Sequence, residues 1–268
     1  MPNYELGVIG GGNMAGAMLR GALAGGFAQA GTIIVSEPLA QRRQAMSREL
    51  EVMCVADNMQ AADCPRVLLA VKPQVMSAVL EEIRPRIRPR TLVVSIAAGI
   101  STRAIDQALS GAGRIVRVMP NTPMLVGEGM SAIAAGPRAV EADVKWVEGF
   151  CAASGRTCIV DEAVMDAVTA VSGSGPAYFF YLVEAMVAAG VAEGLSEQTA
   201  LALAAQTCLG AGKLLIQSDK KPEVLRAGVT SPGGTTQRAV ETLDAAGVKD
   251  TLVKAIRAAA QRSRELGK

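Results

Sequence analysis

Short apolar runs rich in β-branched residues alternate with helix-like stretches from Glu5 to about Val160, and then stop. Such alternation is the pattern of βαβ units, in which parallel strands are joined by crossover helices. The expected strands are Leu6–Ile9, Thr32–Ser36, Glu51–Val55, Arg66–Val71, Thr91–Ile96, Arg114–Met119, Gly129–Ala134 and Thr157–Val160. From Glu162 onward only helical segments follow, broken at Ser172–Pro176, Gly194–Ser196, Asp219–Pro222, Thr230–Gly234 and Gly247. The pattern predicts an α/β chain with a largely parallel sheet over residues 1–161 and an all-helical domain over 162–268. At roughly 150 residues per domain, 268 residues leave room for two modest domains.

Two late helices, Ala177–Val191 and Glu197–Leu215, are apolar nearly all the way round, so they are expected to be buried on several sides. About 105 residues cannot readily enclose two helices of that kind, and packing against a second subunit is the economical solution. Packing on the first domain's helices is the plainer alternative. Aromatic residues make up only 3% of the chain, so helix contacts must run through Ala, Val, Leu and Met.

What the chain lacks excludes whole classes of chemistry. It has no histidine, which removes the commonest general acid/base and metal ligand and every Ser-His or Cys-His nucleophile. Five scattered cysteines without a C-x-x-C pair support neither a disulfide framework nor a zinc site, so no metal is expected and a reducing cytoplasm fits. A net charge of +2 without a long run of one sign gives no footprint for nucleic acid or an anionic membrane. The first residues do not read as a signal peptide, and no uncharged apolar run reaches 18 residues, so no membrane association is expected.

The first strand runs directly into Gly10-Gly11-Gly12-Asn13-Met14-Ala15, a G-x-G-x-x-A turn before a helix. Gly10 permits the tight turn, Gly12 lets backbone amides approach a pyrophosphate, and Ala15 allows close helix–strand packing. A plain structural turn is the alternative, but the position at the first βα junction of a doubly wound pattern favours a Rossmann dinucleotide-binding domain. The second strand ends at Ser36-Glu37-Pro38, which carries two signals. An acidic side chain there suits the ribose 2′-hydroxyl of NADH, whereas Ser36 with Arg42 or Arg43 suits the 2′-phosphate of NADPH, and we favour NADPH with NADH possible. Ala70-Val71-Lys72-Pro73, Ala97-Ala98 and Met119-Pro120-Asn121-Thr122-Pro123 end later strands, at the edge where a ligand crevice forms.

Two segments of the helical half are rich in glycine and hydroxyls. Ser172-Gly173-Ser174-Gly175-Pro176 opens a long helix, with Pro176 expected at its first turn and the serines as caps. Thr230-Ser231-Pro232-Gly233-Gly234-Thr235-Thr236 precedes another helix and offers free amides at a helix start, a cradle for a carboxylate or phosphate. A capped interhelical turn is the bland alternative.

These residues together resemble the pyrroline-5-carboxylate reductase family along essentially the whole chain, most specifically from Leu225 to Asp244. The resemblance implies reduction of a cyclic imine to L-proline with NAD(P)H, a small-molecule substrate, and helical domains that interlock in a homodimer, often in a decamer of five dimers. It places Gly10, Gly11, Gly12, Asn13, Met14, Ser36, Asn58, Val71, Lys72, Pro73, Ala97, Ala98, Asn121 and Pro176 at the cofactor. It places Glu162, Ser231, Gly233, Gly234 and Thr235 at the substrate, with the Thr236 hydroxyl on the ring nitrogen. One departure is Gly228, where members often carry Asn, which removes one side-chain contact to substrate. A β-hydroxyacid dehydrogenase shares the two-domain plan but wants a lysine base on the long helix, and Ala177–Val191 has none. A dinucleotide-binding regulator without turnover is the remaining rival.

Overall fold

The computed structural model describes residues 4–267. Its strands are β1 (Leu6–Ile9), β2 (Ile33–Ser36), β3 (Met53–Val55), β4 (Arg66–Leu69), β5 (Leu92–Ser95), β6 (Arg114–Met119), β7 (Gly129–Ala135) and β8 (Gly155–Ile159). Between them lie α1 (Asn13–Ala24), α2 (Ala40–Leu50), α3 (Asn58–Ala62), α4 (Pro73–Ile83), α5 (Thr102–Ala108) and α6 (Glu141–Ala152). After β8 come α7 (Met165–Val168), α8 (Gly175–Ala192), α9 (Glu197–Gln217), α10 (Pro222–Gly228), α11 (Thr235–Ala245) and α12 (Val248–Leu266).

All eight strands join one sheet in the order β3-β2-β1-β4-β5-β6-β7-β8. The first six have the doubly wound order 3-2-1-4-5-6, which opens a crevice at the carboxyl ends of β1 and β4, where the order reverses. Pairing is parallel except between β6 and β7, whose short link through Thr122–Val126 turns the chain straight back. Strand residues alternate between two cores. Leu6, Val8, Ile33, Val35, Leu68, Val94 and Val116 pack with α1 and α6, while Ile9, Ile34, Val67, Leu69, Val93 and Ile115 pack with α3, α4 and α5. This period of two, with both faces covered, explains why the strands read as continuous apolar runs.

Three local expectations are corrected. The fourth strand was expected to reach Val71 but stops at Leu69, because Lys72 is already the extended residue before α4 with Pro73 in its first turn. The third starts at Met53 instead of Glu51, whose left-handed φ of 55° ends α2. The break expected at Ser172–Pro176 is a turn of π-helix over Thr169–Gly173, followed by a bend at Ser174 and the start of α8. A proline at 176 has no N–H for the carbonyl four residues back, Ser172 O, and the Asn121 amide donates to that oxygen instead at 3.3 Å.

Contacts divide the chain into two compact units, one running through Ser174 and including the chain from Ala259, the other Gly175–Ala258. In the first, Ser263 near the end of α12 is buried and donates to Asp166 Oδ1 at 2.6 Å. In the second, α8 and α9 pack on each other through small residues, Gly190 against Ala200, with Ala204 one turn on also buried. Their large side chains stay uncovered, Tyr181 at 75% and Phe180 at 63% exposure, with Leu201, Leu203, Leu214 and Leu215 also exposed. By length and hydropathy, 162–192 and 197–217 are each sufficient to cross a membrane, with only 6% and 11% of their apolar windows buried within the chain.

Among the described residues all five cysteines are free thiols. Burial pushes the Cys151 thiol up to about 12 against a partial offset from its Ser131 hydrogen bond, and burial beside the Asp63 charge pushes Cys64 to about 11. At pH 8 both stay protonated, so we expect them to react with an alkylating reagent roughly 100- to 1000-fold more slowly than in the denatured chain. Site-resolved mass spectrometry of labelling would check this, and equal rates in folded and denatured protein would contradict the packing.

Candidate active site

In the first unit the site begins where β1 ends. Gly10 has φ of 99°, and a Cβ built on it would stand 2.8 Å from the Ala70 carbonyl oxygen and 3.0 Å from Val71 Cγ1. Only glycine lets the loops after β1 and β4 come this close. Gly12 caps α1 in extended conformation with no side-chain hydrogen bond, and a Cβ there would meet nothing within 4 Å. The amides of Asn13 and Met14 therefore open into free space at the positive end of a helix, as a pyrophosphate requires. These features fit a dinucleotide.

The residues around this loop are arranged less simply. Ser36, the last residue of β2, is wholly buried, and its hydroxyl donates to Asn58 Oδ1 at 2.7 Å, so the structure brings these two together. Asn58 Nδ2 donates in turn to Glu82 Oε2 at 2.7 Å. Gly11 N–H donates to Glu37 Oε2 at 3.0 Å, a contact across 26 residues that the sequence reading did not find. Val71 packs on the core beside Gly10, Lys72 is exposed, and Pro73 opens α4. After β5, Ala97 is buried with its N–H on Ser95 Oγ, and Ala98 follows half-buried. The Asn121 side chain donates to Ser172 and accepts from Met130 N–H at 2.8 Å, which ties the loop after β6 to the π-helical turn.

Glu162 is held by partners the sequence does not announce. Its Oε1 accepts from Thr102 N–H at 2.6 Å, its Oε2 accepts from the Thr102 hydroxyl at 2.5 Å, and Arg117 Nη1 lies 3.5 Å from Oε1. Arg117 is buried in mid-strand, and its Nη2 has no hydrogen-bond partner among the described residues. The carboxylate thus ties the start of α5 and a buried cation to the segment leaving β8.

In the second unit, Ser231, Pro232, Gly233 and Gly234 form a turn into α11. Gly233 has φ of 72°, and Gly234 caps the helix without a side-chain hydrogen bond. A Cβ on Gly234 would stand 2.5 Å from Ser231 Oγ, which would have to rotate away, and 3.1 Å from the Ser231 carbonyl oxygen. Gln237, absent from the sequence reading, accepts from Gly233 N–H at 2.6 Å and donates to Glu241 at 2.8 Å, which braces the loop from inside the helix. Thr235 and Thr236 form the first turn of α11, where the backbone amides have no preceding helical carbonyl to donate to. The Thr230 hydroxyl bonds back to Arg226 O at 2.7 Å, whereas that of Thr236 has no hydrogen-bond partner among the described residues. Gly228 ends α10 beside open space, and Pro176 lies buried in the first turn of α8.

Comparison with known proteins agrees with this assembly of parts. A family model described as pyrroline-5-carboxylate reductase dimerisation matches residues 162–266, and one described as NADP oxidoreductase, coenzyme F420-dependent, matches residues 5–99. The chain is 42% identical to the pyrroline-5-carboxylate reductase of Pseudomonas aeruginosa, covering 99% of this chain and 98% of that one. With the enzyme of that name from Methanosarcina acetivorans it shares 38% identity, with both chains covered in full. Among solved structures, a pyrroline-5-carboxylate reductase from Coxiella burnetii superposes with a TM-score of 0.91 at 35% identity over 99% of both chains. The Plasmodium falciparum pyrroline carboxylate reductase, solved with NADP bound, superposes with a TM-score of 0.90 at 30% identity over both whole chains. The family model over residues 162–266 and relatives 38–42% identical along the full length show that the chain belongs to the pyrroline-5-carboxylate reductase family.

Proposed function

We propose that this protein reduces 1-pyrroline-5-carboxylate to L-proline, the last step of proline biosynthesis, with NADPH as hydride donor and NADH as the possible second donor. The observation that carries the reading is the start of α11, where a glycine cap and unpartnered amides stand beside a free Thr236 hydroxyl. In this assignment residues 1–161 hold the dinucleotide and residues 162–268 supply the substrate cradle and the subunit contact.

The dinucleotide supplies the hydride when bound at the β1–α1 turn. Gly10, Gly11, Gly12, Asn13 and Met14 would receive its pyrophosphate, with Ser36, Asn58, Val71, Lys72, Pro73, Ala97, Ala98, Asn121 and Pro176 around its remaining groups. The amides of Thr235 and Thr236, at the turn formed by Ser231, Gly233 and Gly234, take the substrate carboxylate, and the Thr236 hydroxyl orients the ring nitrogen. A cyclic imine is basic enough to arrive protonated, so the residues need only bind and orient it, which suits a chain without histidine. Glu162 enters as a support of the surrounding framework. The test is absorbance-monitored oxidation of NADPH, and separately NADH, by purified protein with pyrroline-5-carboxylate. No turnover with either, from folded protein that binds the dinucleotide, would reject the assignment.

The uncovered apolar helices α8 and α9 are assigned to a homodimer with interlocking helical domains, five of which make a decamer, in the cytoplasm. Support comes from the dimerisation-family match over 162–266, which accounts for the apolar surface without a lipid bilayer, and from the unpaired cysteines. Placing a charge in such an interface leaves it buried without a partner. Phe180→Asp combined with Leu203→Asp is therefore expected to weaken the subunit contact at least tenfold, about 1.4 kcal/mol. Light scattering would show the loss of mass, and an unchanged mass would place the interface elsewhere.

A further inference from the structure

The turn into α11 spends some of its backbone donors and leaves others free, and one side chain decides which. Gly234 N–H donates to the Ser231 carbonyl at 3.0 Å, and Gly233 N–H donates to Gln237 Oε1 at 2.6 Å. The amides of Thr235, Thr236 and Gln237 have no acceptor among the described residues. Gln237 stands three residues past the Gly234 cap, the place from which a Glu or Gln side chain reaches back over a helix start in a capping box. Here it reaches one residue further, to Gly233, whose φ of 72° is left-handed. Turned end for end, the same side-chain amide would present hydrogens to Gly233 and hold nothing. Its Nε2 donates to Glu241 Oε1 at 2.8 Å, one turn on. A carboxylate only accepts, so Glu241 keeps the Gln237 nitrogen on its own side and the oxygen on Gly233.

Charge matters here as much as reach. A glutamate at 237 would accept from Gly233 equally well, and a negative side chain in the first turn favours a helix. It would also set a carboxylate at the very helix end that is to receive the substrate's carboxylate, and the two like charges would oppose each other. A glutamine braces the turn and leaves the positive end of the helix to a ligand. We propose that Gln237 is a positioning residue for the substrate carboxylate: as a neutral acceptor oriented by Glu241, it holds the Gly233 turn in the shape that keeps the Thr235 and Thr236 amides available to the anion. The inference rests on the reduction reading above and concerns binding of the carboxylate, not the hydride step.

Steady-state kinetics of the full-length protein test it, with pyrroline-5-carboxylate varied at saturating NADPH. Gln237→Ala, which removes the acceptor, is expected to raise the substrate KM about three- to tenfold. Gln237→Glu, which keeps an acceptor and adds a charge, should raise it by about tenfold or more. In both variants kcat and the KM for NADPH should stay within about twofold of the original, because only binding of the carboxylate is weakened. Amide hydrogen exchange at Gly233 reads the brace without turnover, and should quicken in Gln237→Ala but not in Gln237→Glu. A purely structural brace would leave Gln237→Glu with the kinetics of the unmodified protein. That result would overturn the proposal, as would a substrate KM within about twofold of the original in Gln237→Ala, a loss that falls on kcat, or unchanged exchange at Gly233 in Gln237→Ala. Gln237→Glu decides the matter by itself if Gln237→Ala does not fold. No turnover by the unmodified protein would instead sink the reduction reading, and Gln237's role with it.

Discussion

Glu162→Ala is expected to lower the unfolding free energy by about 3–5 kcal/mol, a large fraction of what a domain of this size possesses. The cost comes from what the carboxylate leaves behind. Thr102 loses acceptors for both its backbone N–H and its hydroxyl in a nearly inaccessible position, and Arg117 loses its only ion-pair partner among the described residues. Because Arg117 already has one buried nitrogen unpartnered, the variant would hold a cation in mid-strand without compensation. Removing one member of a buried pair costs far more than the pair is worth, since the remaining charge stays desolvated. Glu162→Gln keeps an acceptor for Thr102 but not the charge, so its loss should fall between that of Ala and zero. Denaturant unfolding would show a lower midpoint at unchanged slope. A shift under about 1 kcal/mol together with a raised KM would mean that Glu162 acts on the substrate and that the framework role is wrong.

This residue also shows where sequence reading reaches its limit. The position of Glu162, just after the strands end, is legible, but its partners are 60 and 45 residues away and leave no periodic trace. The strands β1 to β6 are legible because their alternate residues meet two different cores, a pattern carried by the local sequence itself. The glycine turn is legible for a similar reason, since both its tight φ and its approach to Ala70 demand glycine at position 10. Contacts between distant segments were not: Glu37 on Gly11, and Ser263 on Asp166 across 97 residues. The π-helical turn at Thr169–Gly173 is not legible because serine, glycine and proline together usually signal a loop. Here Asn121 supplies the donor that Pro176 lacks, and the helical path survives. The Gly-Gly turn before α11 was correctly read as a helix start, while its internal brace, Gln237, looked like any polar helix residue.

The unpartnered hydroxyl at that helix start sets the second large effect. Thr230 and Thr242 both turn their hydroxyls back to carbonyls four residues earlier, at 2.7 and 2.9 Å, and so satisfy themselves within the chain. Thr236, half-buried in the first turn of α11, has no such bond, which leaves its oxygen free to meet a ligand. If it orients the imine nitrogen, Thr236→Ala should reduce kcat/KM by about 10- to 1000-fold, the range for loss of a positioned hydrogen-bonding group. Stability should change by less than about 0.5 kcal/mol, because no intrachain hydrogen bond is lost. Thr236→Ser, which keeps the hydroxyl, should recover most of the rate, whereas Thr236→Val, which keeps the shape, should behave like Ala. This pairing separates chemistry from packing, since a purely steric role would reverse the order of Ser and Val. Equal kinetics for all three variants and the unmodified protein would remove Thr236 from the reaction and leave the α11 amides to bind and orient the substrate without it.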